Sequence, residues 1–183
     1  MPAAIEGKEL RIKVEVRNVA GLSTSSESVL IVVIADKPSA STSGPVSIES
    51  ITTTDLIEIH FTEPETGGSP ITNFDVQMDD GIGGGFTTVA GGDLSLYMRR
   101  SLRVKNLLGN VQLGHYDSNS DSFSREIMRG QPYRFRYRAK NVNGWGNYSP
   151  ITIIYAARRP NSPSSVSLLT SDSSSMSVQI NVS

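Results

Sequence analysis

The chain has 183 residues and a formal net charge of −1, with 37% hydrophobic and 19% charged residues. Near-neutrality removes any global pull toward nucleic acid or an anionic membrane. The absence of cysteine removes disulfides, zinc fingers and thiol catalysis together, and no run of about 18 apolar residues is present to cross a bilayer.

Residues 7–26 (GKELRIKVEVRNVAGLSTSS) return at 130–149 as GQPYRFRYRAKNVNGWGNYS. The copies align without a gap, 123 positions apart, and share Gly7/Gly130, Arg11/Arg134, Asn18/Asn141, Val19/Val142, Gly21/Gly144 and Ser26/Ser149. A repeat at domain-sized spacing points to an array of modules. In the first copy Leu10, Ile12, Val14 and Val16 interleave with charged residues, which predicts a strand with one buried and one wet face. Asn18 to Gly21 is a turn signal that permits positive φ. The apolar run at 29–35 predicts the second strand of a hairpin. Asp36, Lys37, Pro38 and Ser39 then read as a linker, because proline ends the ladder and stiffens the backbone around it.

Strands are predicted next at 45–51 and 56–61, where Ile57, Ile59 and Phe61 alternate with polar residues. Residues 63–70 form a turn-rich connector. The stretch 71–78 alternates through Phe74, Val76 and Met78, 79–85 (DDGIGGG) is a tight turn, and 86–90 is a short strand. Residues 94–108 fit either strands or a short helix, and 114–124 reads as a polar loop. In the second copy Tyr133, Phe135, Tyr137 and Ala139 alternate with Arg134, Arg136, Arg138 and Lys140, and 151–156 closes its hairpin. A linker bearing Pro160 and Pro163 comes next, then strands at 165–169 and 176–182 that match 45–51 and 56–61.

The run Tyr133, Phe135, Tyr137, Ala139, Asn141, Gly144, Ser149 and Pro150 resembles the F strand, F–G turn and G-strand start of fibronectin type III modules. Ile71, Phe74 and Val76 stand in the C-strand position, and Val14, Val16, Asn18 and Gly21 match more loosely, with Leu10 where a tyrosine is usual. The resemblance implies an all-β chain of tandem immunoglobulin-like sandwiches. Residues 1–36 would be the last two strands of a preceding module, 37–44 a linker, and 45–157 a complete module with a long irregular insertion at about 91–129. Residues 158–162 would be a second linker, and 163–183 the first two strands of a following module. The two end pieces together supply A, B, F and G strands but no C or E strand. That implies an excerpt of a longer polypeptide, with a short protein whose end strands are capped by partners as the alternative. Tyr133 would make a corner bond to nearby backbone, with Asn141 and Gly144 as structural turn residues. Phe61 stands where the family carries a strand-B tryptophan, and the single tryptophan, Trp145, sits in the F–G turn.

Position in the repeat nominates the candidate binding residues. Trp145 and Tyr148 near a loop tip are interface anchors, unless Trp145 packs on its own module. Arg134, Arg136 and Arg138, with Lys140, project from one strand face at intervals of roughly 6.6–7 Å. They would meet an acidic surface or phosphates, or else form a solvated face. Arg99, Arg100, Arg103 and Lys105 form a second basic cluster, without the interleaved aromatics that stack bases. Asp117, Asn119 and Asp121 begin like a calcium loop. Ser122 replaces the turn glycine, however, and Met128 stands where a bidentate Glu belongs, so a solvated loop is expected. Asn147 opens an Asn-Tyr-Ser sequon, a glycosylation acceptor in the secretory pathway that Pro150 makes a poor one. The two histidines, His60 and His115, have no nucleophile elbow or phosphate loop beside them.

No catalytic residue, cofactor or metal ligand is assigned. The expected function is a non-enzymatic structural and protein-interaction segment, a scaffold or adhesive spacer whose partners are other proteins or neighbouring modules. The alternative is an accessory module of a larger enzyme or receptor. By family habit the location is extracellular or at the cell surface, with an intracellular filament or a ciliary or cytoskeletal assembly as the alternative.

Overall fold

The computed structural model describes residues 7–106, 116–117 and 122–181, and every regular element among them is a strand. The first hairpin contains β1 (Glu9–Ile12), β2 (Arg17–Asn18), β3 (Gly21–Leu22) and β4 (Leu30–Val33). Then come β5 (Val46–Ser47), β6 (Leu56–His60), β7 (Asn73–Met78), β8 (Thr87–Gly91) and β9 (Ser101–Asn106). They are followed by β10 (Tyr116–Asp117), β11 (Ser122–Arg125), β12 (Pro132–Asn141), β13 (Gly144–Trp145) and β14 (Thr152–Tyr155). A final hairpin joins β15 (Ser165–Ser171) and β16 (Met176–Asn181).

Two sheets make the central sandwich. One has the order β10-β11-β9-β6-β5; the other has the order β13-β12-β7-β8, with β14 also on β12. Side chains alternate across each strand, so every second residue of β6, β9 and β12 enters one core. Ile57, Ile59, Leu102 and Val104 face Phe74, Val76, Met78, Tyr133, Phe135 and Tyr137, all buried. Phe61 packs in the core, its ring 4.5 Å from that of Tyr137 and 5.4 Å, edge-on, from that of Phe74. The Tyr137 hydroxyl donates to the Thr62 carbonyl at 2.6 Å. The Tyr133 hydroxyl accepts the Met128 N–H at 2.9 Å, tying the start of β12 to backbone five residues upstream. In the turn after β7, Asp80 accepts the N–H groups of Gly84 and Ile82 (2.8 and 3.1 Å), which hold its carboxyl below the usual range.

Two sequence expectations need correction. The stretch 114–124 is not wholly a loop, since β10 and the start of β11 fall in it and extend the first sheet. β11 runs parallel to β9, pairing Phe123 with Val104, and burial of Phe123 in the core accounts for the added strand. The rest of that stretch, together with 107–108 of the 94–108 stretch, lies outside the described residues; within 94–108 the observed element is the strand β9. The first hairpin also differs. Only Glu9–Ile12 is a strand in the first half of its alternating run, and its apolar face is open: Leu10 is 46% and Val16 67% exposed.

The two copies of the repeat share several hydrogen bonds at equivalent residues. Ser26 N–H donates to the Val14 carbonyl (2.9 Å) as Ser149 N–H does to that of Tyr137 (2.7 Å). Ser26 Oγ accepts from Val14 N–H (3.2 Å) as Ser149 Oγ does from Tyr137 N–H (3.1 Å). Asn18 caps the Ala20 N–H (2.8 Å) and Asn141 the Asn143 N–H (2.9 Å). Arg17 pairs with Leu22 as Lys140 pairs with Trp145, and Gly21 and Gly144 both take positive φ, +139° and +116°.

Replacing Tyr133 with Phe removes the acceptor for the Met128 N–H while keeping the ring. Leaving that donor unmet costs about 1–3 kcal/mol. Thermal unfolding of Tyr133→Phe is expected to shift downward by roughly 4–20 °C for a domain of about 110 residues, measured by circular dichroism.

Candidate interaction face: a ladder of cations and rings

The outward row of β12 faces the outward row of β7. Register sets Arg138 opposite Asp75, Arg136 opposite Gln77 and Lys140 opposite Asn73. Arg138 Nε donates to Asp75 Oδ2 at 2.9 Å. Arg136 donates through Nε and Nη2 to Gln77 Oε1 at 3.0 and 2.8 Å. Arg134 donates through its backbone N–H to Asp79 Oδ1 (2.8 Å), through Nε to Asp79 Oδ2 (2.7 Å), and through Nη2 to the Gly84 carbonyl (2.7 Å). Both carboxylates are 1% exposed, so each depends on its arginine for charge compensation.

Three rings fill the spaces between the cations. The guanidinium of Arg134 lies 5.2 Å from the Phe86 ring centre, and that of Arg136 lies 4.1 Å from Phe86 and 3.9 Å from Tyr148. Arg138 lies 4.5 Å from Tyr148 and 4.8 Å from Trp145, and Lys140 Nζ lies 5.2 Å from Trp145. The result is one unbroken alternation: Arg134, Phe86, Arg136, Tyr148, Arg138, Trp145, Lys140. The tips of the rings are tied down too. Trp145 Nε1–H donates to Asp93 Oδ1 at 3.2 Å, and the Tyr148 hydroxyl donates to Asp75 Oδ2 at 2.8 Å. Burial, then the bond to Asp75, pushes the Tyr148 hydroxyl up to about 12.

The structure thus gathers Arg134, Arg136, Arg138, Trp145 and Tyr148 into one assembly, with Trp145 packed on its own sandwich. The three guanidiniums bond Asp75, Gln77 and Asp79 and stand over rings, so two of the three arginine charges meet a carboxylate, the third meets a neutral amide, and the row is not an open cationic strip. Sequence alone does not single out Asp75, Gln77, Asp79 or Phe86. Alternation places Asp75 and Gln77 on the outer face of β7, but only the β7–β12 register shows which arginine each meets. Asn147 is exposed beside the ladder, and Tyr133, Asn141 and Gly144 lie elsewhere on the same strand and turn.

The second basic cluster is dispersed. Arg100 pairs with Glu63 and stands 5.7 Å from the Phe74 ring centre, and Arg103 meets the buried Glu58 at 2.6 Å, with His60 3.4 Å from the same carboxylate. His115, Asn119 and Asp121 lie outside the described residues. No group of three or more His, Asp and Glu side chains placed to hold a metal ion occurs among the described residues. Among those residues no helix is long and apolar enough to cross a membrane.

No family model matches this sequence, and no curated protein matches it. Among solved structures it is similar to a multi-domain stretch of titin, with 19% identity and a TM-score of 0.49 over 78% of this chain; the match spans 39% of that titin chain. It is also similar to the twitchin kinase region of C. elegans, with 18% identity and a TM-score of 0.44 over 67% of this chain and 17% of that one. A fibronectin type III domain of human fibronectin type III domain containing protein 3 is similar at 17% identity and a TM-score of 0.45, over 68% of this chain and 91% of that one.

The ladder yields two expected outcomes. Arg138→Ala strands the Asp75 charge and should destabilise the sandwich by about 3–5 kcal/mol, read by denaturant unfolding. The Tyr148 hydroxyl holds its proton more tightly when folded than when unfolded, so between about pH 10 and 12 the unfolded state binds fewer protons. Stability therefore falls as pH rises through that window. Tyr148→Phe should lose less stability across it than the parent protein, measured by melting at successive pH values.

Proposed function

We propose that this chain is a non-enzymatic structural and protein-interaction segment of a larger multi-module protein, built from fibronectin type III-like units. Residues 45–157 are one complete unit, 37–44 and 158–162 are linkers, 1–36 are the closing strands of the unit before, and 163–183 are the opening strands of the unit after. One observation carries the reading. The hydrogen bonds of the first corner, from Val14 to Ser26, recur in the second from Tyr137 to Ser149, so the first hairpin has the backbone of a module's closing hairpin. The final hairpin supports the same view. Val166 pairs with Ile180 and Leu168 with Val178, one apolar face of the kind that β6 buries through Ile57 and Ile59, yet all four are 47–64% exposed.

In this reading the sandwich acts as a spacer and its partners are other proteins or neighbouring modules. Nucleic acid is disfavoured because the arginines of the ladder are committed to Asp75, Gln77 and Asp79. Trp145 and Tyr148 serve by stiffening the face they sit on.

Two-stranded hairpins are marginal in water without a covering sheet. Limited proteolysis of the 183-residue chain should leave a core of about residues 40–160 and digest both end hairpins. Hairpins as resistant as the core would overturn the proposal, since they would then be complete structures in their own right.

A further inference from the structure

We propose that Asn141 and Gly146 form a latch that fixes residues 36–39 to the sandwich and so sets the direction in which the first hairpin leaves it. Asn141 ends β12 and is 2% exposed. A side-chain amide has two N–H donors and one carbonyl acceptor, and all are used. The acceptor takes the Asn143 N–H of its own turn at 2.9 Å. The donors go to two carbonyls, Thr66 at 2.8 Å and Asp36 at 2.6 Å. Thr66 belongs to the connector between β6 and β7, whereas Asp36 belongs to the incoming linker. One side chain thus ties together the F–G turn, a neighbouring connector and the chain that enters from the first hairpin.

The linker is held along its length. Asp36 N–H donates to the Gly67 carbonyl at 2.8 Å and Ser39 N–H to the Glu65 carbonyl at 3.0 Å, so residues 36–39 run beside 65–67 as a short unregistered ladder. Pro38 between them is buried. The approach is close enough to need glycine on the receiving side. A Cβ on Gly146 would lie 2.2 Å from the Pro38 carbonyl oxygen, and one on Gly67 would lie 2.5 Å from that of Asp36. The seat is thus shaped for a backbone.

The first copy of the repeat shows that this seat is more than a by-product of the corner. Asn18 makes the same bond to its own turn, but Ser23 stands where the second copy has Gly146. A side chain there occupies the path that Pro38 takes across the second corner. The backbone bonds and the Asn and Ser bonds of the corner recur in both places, Ser23 Oγ adds one from Val16 N–H at 3.0 Å, and the glycine that admits a linker is present in only the second. At the far end of the sandwich residues 157–163 are all exposed, with an exposed Arg159–Glu49 ion pair on that linker. The joints at the two ends of the sandwich are therefore built differently.

The chain contains no cysteine, so paired labels can be introduced without background. In Lys37→Cys/Ile153→Cys, spin labels report the linker against β14, and Thr87→Cys/Ile153→Cys reports the sandwich alone. Pulsed electron-spin distance measurement on the full chain should give one narrow distribution for the linker pair. Asn141→Asp keeps the turn acceptor but cannot donate to Asp36. Gly146→Ala leaves the amide intact and blocks Pro38. Each should widen the linker distribution at least twofold and speed exchange of the Asp36 and Ser39 amides at least tenfold, with the sandwich pair unchanged. A broad linker distribution in the parent, or a linker pair and amide exchange that ignore both variants, would overturn the latch. If Asn141→Asp also disturbs the sandwich pair, Gly146→Ala decides.

Discussion

The sandwich hangs on one buried carboxylate. Asp75 is almost wholly withdrawn from water, and an uncompensated charge there would cost several kcal/mol. Its oxygens are met from three other directions: Thr88 on β8 at 2.9 Å, Arg138 on β12 at 2.9 Å and Tyr148 between β13 and β14 at 2.8 Å. A single group thereby ties β7 to both its neighbours and to the closing hairpin. It also pins register. A slip of one residue would turn Asp75 into the apolar core and Phe74 out to water, so polar and apolar faces of β7 enforce the same alignment. The outer ladder and the core behind it are two readings of one pairing.

Some of this is legible in the residues alone. β12 is, because its inward residues are uniformly apolar and its outward ones uniformly cationic, and nothing but a strand satisfies both sets at period two. β6 and β7 are legible for the same reason. β11 is not: Ser122 to Arg125 contains a single apolar residue, and its partner is a parallel strand about twenty positions earlier, a pairing that local pattern does not encode. The first hairpin misleads in the opposite way. Alternation says which side chains can be buried together, and is silent on whether another sheet is there to bury them. At the candidate face the arginine row is plain, but Phe86 lies some fifty residues from it in sequence, and no local signal joins them.

The two copies differ in what they preserve. Leu10 corresponds to Tyr133, Ile12 to Phe135 and Val14 to Tyr137, so the apolar positions keep their character and change their size. Asn, Gly and Ser at the corner are kept outright. Apolar packing accepts many shapes when neighbours adjust, whereas a capped turn with positive φ accepts few residues. The persistent part of this repeat is its corner, and the apolar residues beside it change in size from one copy to the other. The exchange of Gly146 for Ser23 stands out against that background: Ser23 Oγ accepts the Val16 N–H at 3.0 Å, a bond glycine cannot make, whereas Gly146 leaves room for the Pro38 backbone.

The ladder also has a metric. A flat guanidinium against a flat ring needs about 3.5–4 Å between their planes, so one cation and one ring together take up roughly 7 Å. Two residues of extended strand advance by nearly the same amount. One ring is seated between Arg134 and Arg136 and one between Arg136 and Arg138, at centre distances of 5.2, 4.1, 3.9 and 4.5 Å, so each ring lies somewhat off the straight line between its two cations. An ammonium has no second flat side to offer, and the single lysine of the row, Lys140, stands at the end, where it needs to meet only Trp145. The strand works as a ruler: its rise chooses both how many rings the wall can hold and which cations can stand inside it.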